Sequence, residues 1–227
     1  VYTMLQRSMI LLGFFSLIIF AACTKEDRKE VKQTIDSASQ KLGHELDTVI
    51  NTKLTNDSLF NNAPVESVDG ANLKSKEFRS ALNDIFDKYE DIKDDLSGDD
   101  TADVRKNADD LKKVLMTTGS YAPAADMGKD WKLWVSTSEK VIAALAAATG
   151  LEAQRKSFSE LTASMESMVK QFGLDNRTIY KLKCTALSDN TYWLTDSKEL
   201  ENPFTGKDTS NGKDEKCVRV VSSWKFE

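Results

Sequence analysis

The sequence predicts a mainly α-helical protein, an up-down four-helix bundle with an N-terminal helix before it and a small disulfide-linked β unit after it. Three observations lead to this fold class. Apolar residues recur every three or four positions through most of the chain from 75 to 173, as on the buried face of a helix. Turn residues divide that stretch into helix-sized segments. After residue 173 apolar and polar residues alternate as in strands, and two cysteines flank a polar loop.

The first segment, 1–22, has the organisation of a secretory signal peptide. A short polar lead that carries Arg7 is followed by an apolar run from 9 to 20, interrupted only by Gly13 and Ser16. That run is shorter than the about 20 residues that a helix needs to cross a bilayer. Translation could start at Val1 or at Met4. We therefore expect 1–22 to be removed on export.

Cys23 is expected to carry the membrane anchor. The sequence Phe20-Ala21-Ala22-Cys23 resembles the lipobox of bacterial lipoproteins, with Phe20 at a position where leucine is usual. The resemblance implies that the Cys23 thiol receives a diacylglyceryl group, and two or three acyl chains anchor a protein stably at about 0.8 kcal/mol per buried methylene. The expected location is the cell envelope, on the inner or outer membrane. An ordinary signal peptide and an uncleaved anchor are the alternatives.

The segment 23–54 is predicted to form an amphipathic helix, and 55–74 a linker. The linker is rich in Asn, Asp and Ser and contains Pro64 and Gly70. His44, which is the only histidine of the chain, falls on the charged side of the predicted helix and is expected to be an ordinary exposed residue. The apolar stripe of this helix consists of Val31, Ile35, Ala38, Leu42, Leu46 and Val49.

The segment 75–173 is predicted to hold four helices, and their short connections favour an up-down-up-down bundle. Asp99 or Asp100 is expected to cap the second helix. The glycines that end the four helices are Gly98, Gly119, Gly150 and Gly173. The expected core positions are Phe78, Leu82, Ile85, Tyr89, Ile92 and Leu96; then Val104, Ala108, Leu111 and Leu115; then Trp131, Trp134, Ser138, Val141, Leu145 and Ala148; and finally Leu151, Phe158, Leu161, Met165, Met168 and Phe172. Two tryptophans and two methionines in this set could also line a cofactor, but their helical spacing favours core packing.

The segment 174–227 is predicted to be a β unit that belongs to the same domain as the bundle. Its strands are expected at 179–184, 191–194 and 217–226, with a turn at 188–190. Of the three cysteines, Cys23 is expected to be lipidated. Cys184 and Cys217 remain as a pair in an oxidising compartment, which predicts a disulfide. That bond would tie the first strand to the third.

The composition restricts the possible functions. The formal net charge is −5 and no basic run is present, which argues against nucleic-acid binding. A single histidine leaves no Ser-His-Asp triad unless His44 serves, and no His-rich zinc site. An acidic cluster, Asp91, Asp94, Asp95, Asp99, Asp100 and Asp103, surrounds the first turn between helices. Its spacing does not fit an EF-hand loop, so a solvated turn is favoured over a calcium site.

The region 75–220 resembles a family of domains of unknown function. Such domains occur in periplasmic lipoproteins and at the C-terminal end of some heavy-metal efflux adaptor proteins. The motifs that carry the resemblance are the helix pair from Leu82 to Leu115, Gln154-Arg155-Lys156-Ser157-Phe158-Ser159-Glu160-Leu161, Ile179-Tyr180 through Cys184, Tyr192-Trp193-Leu194-Thr195, Asn202-Pro203-Phe204 with Gly206, and Cys217.

The resemblance implies a site for a soft metal ion such as Cu(I), but the sequence departs from the family at that point. The family pattern is Cys-Pro-Met-Ala at the first cysteine and Met-Leu-x-Cys-Gly at the second. Here Cys184 is followed by Thr-Ala-Leu, and Cys217 is preceded by Asp-Glu-Lys, so both methionine thioethers are missing. We therefore expect no metal and no cofactor, with copper or another soft metal at Cys184 and Cys217 as the alternative.

The sequence therefore favours a non-catalytic structural or protein-interaction module, held at a membrane by lipid on Cys23 and bound to another envelope protein. The alternative is a periplasmic soft-metal binding module, of copper type, related to heavy-metal efflux. An enzyme is the third reading. Carboxylates are plentiful, but no spacing singles out a catalytic pair.

Overall fold

The computed structural model describes residues 57–68, 75–118, 127–188, 191–207 and 217–227, together with Ala38, Lys41 and Leu42. The chain divides into two compact units, Val1–Leu54 and Thr55–Glu227. In the first unit, the three described residues are helical and exposed, and Leu42 of the predicted stripe is 66% exposed. The rest of the predicted helix 23–54, with Cys23 and His44, lies outside the described residues.

The second unit is mainly helical, with a small antiparallel sheet, as predicted. Its four long helices are α1 (Lys76–Ser97), α2 (Thr101–Thr118), α3 (Gly128–Ala147) and α4 (Leu151–Phe172). Each helix packs against the next, and α1 also packs against α4. Within the described part of the chain, no helix combines the length and the apolar character that crossing a bilayer requires.

The helix ends follow from local sequence. The Ser75 hydroxyl accepts a hydrogen bond from the Phe78 amide at 3.2 Å, which caps the start of α1. Asp100 rather than Asp99 caps α2, because its Oδ1 accepts from the amides of Ala102 and Asp103, each at 3.1 Å. Three residues, 148–150, connect α3 to α4.

The predicted apolar stripes form the core, except that Ala148 and Leu151 are only partly buried and one position in α3 is shifted. In α1 and α4 the stripe residues Leu82, Ile85, Phe158 and Leu161 are fully buried. The rings of Tyr89 and Phe158 stack at 5.1 Å, which confirms that these two stripes face each other. In α3, however, Ile142 is buried where Val141 was expected, and Val141 is only partly buried. Both residues are apolar, so the periodicity alone did not separate them.

The C-terminal segment forms a three-stranded antiparallel sheet in the order β2-β1-β3. The strands are β1 (Thr178–Cys184), β2 (Tyr192–Thr195) and β3 (Val218–Lys225), close to their predicted positions. The register between β1 and β3 shifts between Lys181 and Leu182, which marks an irregularity of the bulge type. The sheet contacts α4 mainly through β2.

The predicted linker 55–74 contains a packed segment. Residues 57–61 are helical, and Phe60 is 3% exposed, with its ring edge-on to Tyr180 at 4.7 Å. Val65 bridges to Ser223, so residues 64–66 run along β3 as a short parallel addition to the sheet. The Asn-, Asp- and Ser-rich composition indicated a loop, but burial of Phe60 and the backbone hydrogen bonds of 64–66 to Ser223 dock the segment on the sheet.

Candidate functional site

Two of the three cysteines of the chain form a disulfide. Cys184 at the end of β1 and Cys217 just before β3 are bonded, with their Cα atoms 4.8 Å apart, and both are buried. The Thr185 amide donates to the Cys217 carbonyl at 2.9 Å beside the bond. The predicted pairing is therefore confirmed. A disulfide sulfur is not a thiolate, and thiolate is the form of cysteine that binds a soft metal ion.

Other soft or titratable groups do not gather into a metal site in the part of the chain that the structure describes. There, no three His, Cys, Asp or Glu side chains form a group that could hold a metal ion. Met165 and Met168 are fully buried in the helical core, together with Trp131. Trp131 stacks on Trp134 at 5.1 Å. These residues act as core, which was the favoured interpretation of their spacing.

The polar residues of the family-like motifs meet at one end of the helices, around Arg155. From near the start of α4, the Arg155 Nε donates to the Pro203 carbonyl at 2.8 Å. Its Nη2 donates to Asp99 Oδ1 at 2.6 Å and to the Leu96 carbonyl at 3.3 Å. The neighbouring Gln154 donates to the Thr101 carbonyl at 2.9 Å. We call this arrangement the Arg155 clasp, defined by Arg155 with its partners Leu96, Asp99 and Pro203.

The loop after β2 completes the clasp. Asn202 Oδ1 accepts from the Phe204 amide at 3.0 Å, and the Gly206 amide donates to the Asn202 carbonyl at 2.9 Å. Gly206 has φ +56°, and a Cβ at this position would lie 1.9 Å from Asp99 Oδ1. Asp99 Oδ2 accepts from the Lys207 amide at 3.1 Å. A glycine is therefore required here both by the backbone conformation and by the close approach of the ion pair.

The aspartates around the first turn between helices have separate structural partners. Asp99 belongs to the clasp and Asp100 caps α2. Asp95 accepts from Asn107 at 2.7 Å, and burial is the main cause that raises the pKa of its carboxyl. Asp91 pairs with Lys88 at 2.6 Å. The interpretation of this cluster as a solvated turn therefore missed the long-range contacts of Asp99 and Asp95.

A second polar group lies buried between α1 and the end of β2. Lys93 on α1 is 3% exposed, and its ammonium contacts Glu90 Oε2 at 2.9 Å and Asp94 Oδ1 at 2.8 Å. The Thr195 hydroxyl also donates to Glu90 Oε2, at 3.2 Å. Glu90 Oε1 is buried and has no hydrogen-bond partner in the described part of the structure.

Burial dominates the electrostatics of this group. Loss of hydration raises the pKa of Glu90 to about 7, against the opposing attraction of Lys93. Burial by itself would lower the pKa of Lys93, but the Glu90 and Asp94 carboxylates raise it above its ordinary value. Lys93 therefore keeps its proton, and Glu90 is the member that titrates near neutral pH.

The strand motifs of the resemblance serve the joint between sheet and helices. Trp193 in β2 is fully buried and lies 6.4 Å from the Phe204 ring, between centroids. The Leu194 amide, on the same strand, donates to the Tyr89 hydroxyl oxygen at 3.0 Å. The hydroxyls of Tyr89 and Thr162 form a second hydrogen bond, with their oxygen atoms 3.0 Å apart. The hydroxyl of a helix residue thus satisfies an amide of β2 that would otherwise be buried without a partner.

The matched segment of a family model coincides with the helical part of this region. A family described as a protein of unknown function (DUF3347) matches residues 85–177.

This part of the chain is similar to that family.

The match covers α2, α3, α4 and most of α1, and it includes Gln154 and Arg155. The loop with Pro203 and Gly206, and both cysteines, lie beyond it. Comparison with curated proteins gives no match, and comparison with solved structures gives none.

Sequence reasoning did not find the two buried polar groups. Arg155 lies in the 154–161 motif of the family resemblance, but its partners are 48 to 59 residues away along the chain. Lys93 offered a weak signal, because it follows Tyr89 by four residues and so falls on the apolar stripe of α1. A lysine on a buried stripe implies a carboxylate partner, and Glu90 stands three residues before it.

Proposed function

We propose that this protein is a membrane-anchored module of the cell envelope that binds another envelope protein and catalyses no reaction. The observation that carries the proposal is the Arg155 clasp. Arg155, which lies in one of the family-like motifs, binds other segments of the same chain. A side chain that is bonded within the chain in this way stabilises the fold. A stable fold without a reactive group is suited to binding a partner.

The proposed anchor is acyl lipid on Cys23. The arrangement of 1–22 before a cysteine supports export and lipidation, and the pair Cys184–Cys217 is consistent with an oxidising compartment. We further propose that the four long helices form an up-down-up-down bundle. The short 148–150 connection supports this, as does the packing of α1 on both α2 and α4.

The alternative, a soft-metal binding module, is less well supported. Its donors would have to be Cys184 and Cys217, whose sulfur atoms are bonded to each other. Competition for Cu(I) against a chromophoric chelator tests it on the untreated protein. We expect no transfer of Cu(I) to the protein. Transfer of one Cu(I) per chain would favour the metal-binding function instead.

Cross-linking in intact cells tests the proposed interaction. A short amine-reactive reagent should give discrete adducts between the full chain and another envelope protein, identified by mass spectrometry. A Cys23→Ala variant, which we expect to lack the acyl anchor, should give much less of the same adducts although it is equally folded. Cross-linking that yields only the free chain would contradict the proposal.

A further inference from the structure

An open groove runs between α3 and α4 on the outer side of the helices. Its α3 wall consists of Leu133, Thr137 and Val141, which follow one another at intervals of four residues, and its α4 wall includes Ala163 and Ser167. The volume of the groove is about 540 Å³. Leu133 is 67% exposed, so a large apolar side chain stands at the rim without cover.

The floor of the groove has its polar groups paired internally. The Trp134 indole N–H donates to the Ser164 carbonyl at 2.9 Å. The hydroxyls of Ser138 and Ser164 are hydrogen-bonded at 2.6 Å. These polar groups are already bonded within the protein, so the floor is suited to packing against an apolar surface rather than to holding a small polar ligand.

The dimensions of the groove suit a helix. Along α4 the lining runs from Glu160 to Gln171, which is about 16 Å at 1.5 Å per residue, or three turns. The α4 wall is low because Ala163, Ser164 and Ser167 are small. Small residues let a further helix approach to the usual interaxial distance of about 8–10 Å. The Leu133, Thr137 and Val141 ridge would then lie beside it.

The charge of the groove is acidic at both ends. Asp130 and Glu160 are the ionisable residues in its lining. Trp131 contacts Phe172, with ring centroids 5.3 Å apart, which places Asp130 near the Gln171 end. The Trp131–Phe172 and Ser138–Ser164 contacts together show that α3 and α4 run in opposite directions here, so Glu160 lies near the Val141 end. An anionic lipid surface or a nucleic acid would be repelled.

We propose that this groove receives an amphipathic helix of a partner protein, with an apolar face and a basic residue near each end, about three turns apart. The inference rests on the proposed function and specifies where and by what chemistry the partner is held. Apolar packing against Leu133 and Trp134 provides the contact area. The carboxylates of Asp130 and Glu160 fix the position of the helix along the groove.

Two synthetic helical peptides of about 18 residues test the proposal. They share one apolar face and differ only at the two end positions, which carry lysine in one peptide and glutamate in the other. Fluorescence anisotropy measures their binding to the full chain in phosphatidylcholine nanodiscs, with empty nanodiscs as the blank. We expect the lysine peptide to bind at least about tenfold more tightly. The double variant Asp130→Lys, Glu160→Lys should reverse this preference.

Leu133→Asp should weaken binding of the lysine peptide about tenfold or more. Met116→Asp is the matched control, because Met116 is 63% exposed on α2 and does not line the groove. The proposal is wrong if neither peptide binds, if both bind equally, or if the two variants behave alike. Persistence of the cellular cross-links in Leu133→Asp would then show that the protein still has a partner and that only the groove assignment fails.

Discussion

Arg155 is the residue at which separate segments of the chain converge. Its guanidinium joins the start of α4 to the end of α1 and to the loop after β2 through three acceptors. The side chain is 20% exposed, so most of it is removed from water. A planar, forked donor can serve several acceptors at once, and the point charge of a lysine cannot.

Arg155→Lys should therefore lower the free energy of unfolding although the charge is kept. At least one acceptor loses its donor, at a cost of about 1–3 kcal/mol. Urea denaturation followed by circular dichroism measures this. Arg105→Lys is the matched control, because Arg105 is exposed on α2. Equal stability of the two variants would contradict the role given to Arg155.

Gly206 keeps the same region closed. An alanine there would have to adopt φ +56° and would place its Cβ 1.9 Å from Asp99 Oδ1. We expect Gly206→Ala to be destabilising by about 1–3 kcal/mol. Gly128→Ala serves as the control, because a Cβ at Gly128 meets nothing within 4 Å. Thermal melts of the two variants that coincide would show that the close approach is absent in solution.

Glu90 gives the protein a pH-dependent stability. Its pKa in the folded state is about 7, above the ordinary value of 4.5. At pH values between these two pKa values, Glu90 is therefore mostly protonated in the folded state and mostly ionised in the unfolded chain. The contribution of Glu90 to stability is complete below about pH 4.5 and is lost as the pH rises through about 7, by up to about 3 kcal/mol.

Glu90→Gln should remove this dependence. The difference in unfolding free energy between wild type and Glu90→Gln, measured from pH 4.5 to pH 8, should change in favour of the variant as the pH rises. Lys93 is not expected to titrate in this range, because its pKa is raised above its ordinary value. A difference that stays constant across the range would show that Glu90 does not take up a proton on folding.

Among the elements, side chains hold the sheet to the helices, and the disulfide joins the end of β1 to the start of β3. The Tyr89 hydroxyl accepts from the Leu194 amide of β2, and Glu166 on α4 pairs with Lys181 of β1 at 3.0 Å. On the other edge, the 64–66 segment pairs with β3. The Cys184–Cys217 bond encloses a loop with a sequence separation of 33 residues.

Reduction of this disulfide should loosen the sheet before the helices. In the chain-entropy model, a closed loop of this size contributes roughly 3–4 kcal/mol. Amide hydrogen exchange should become faster in β1 and β3 after reduction, whereas α2 should keep its protection. The double variant Cys184→Ala, Cys217→Ala should reproduce the pattern without reductant. An increase in the amide exchange rate of α2 as large as that of β1 and β3 would mean that sheet and helices unfold as one cooperative unit.

The elements could be predicted from sequence because their signals are local. A stripe such as that of α1 and a glycine such as Gly98 fix the identity and the end of a helix within a few residues. Phe60 and Val65 show where this fails, because a segment of loop-like composition docks through contacts with residues more than 100 positions away. The clasp joins residues 48 to 59 positions apart, and the Glu90–Lys93 group includes Thr195, which is 105 positions from Glu90.

At the scale of the whole molecule, the described part of the chain combines a helical body, a disulfide-closed sheet and the groove between α3 and α4. Gln154 and Arg155 stabilise that body, and the groove is the described surface that we assign to a partner. We propose that this body lies outside the cytoplasm on a lipid anchor. Cys23 is therefore expected to be acylated, and Cys184 and Cys217 oxidised, in the same molecule.

The intact mass of the protein purified from the membrane fraction tests this claim most directly. We expect a chain that begins at Cys23, carries acyl groups, and is two hydrogen atoms lighter than the dithiol form. Cys23→Ala should abolish the acylated species. A wild-type mass that retains residues 1–22 without lipid, or that shows two free thiols in the untreated protein, would contradict the proposed anchoring and location.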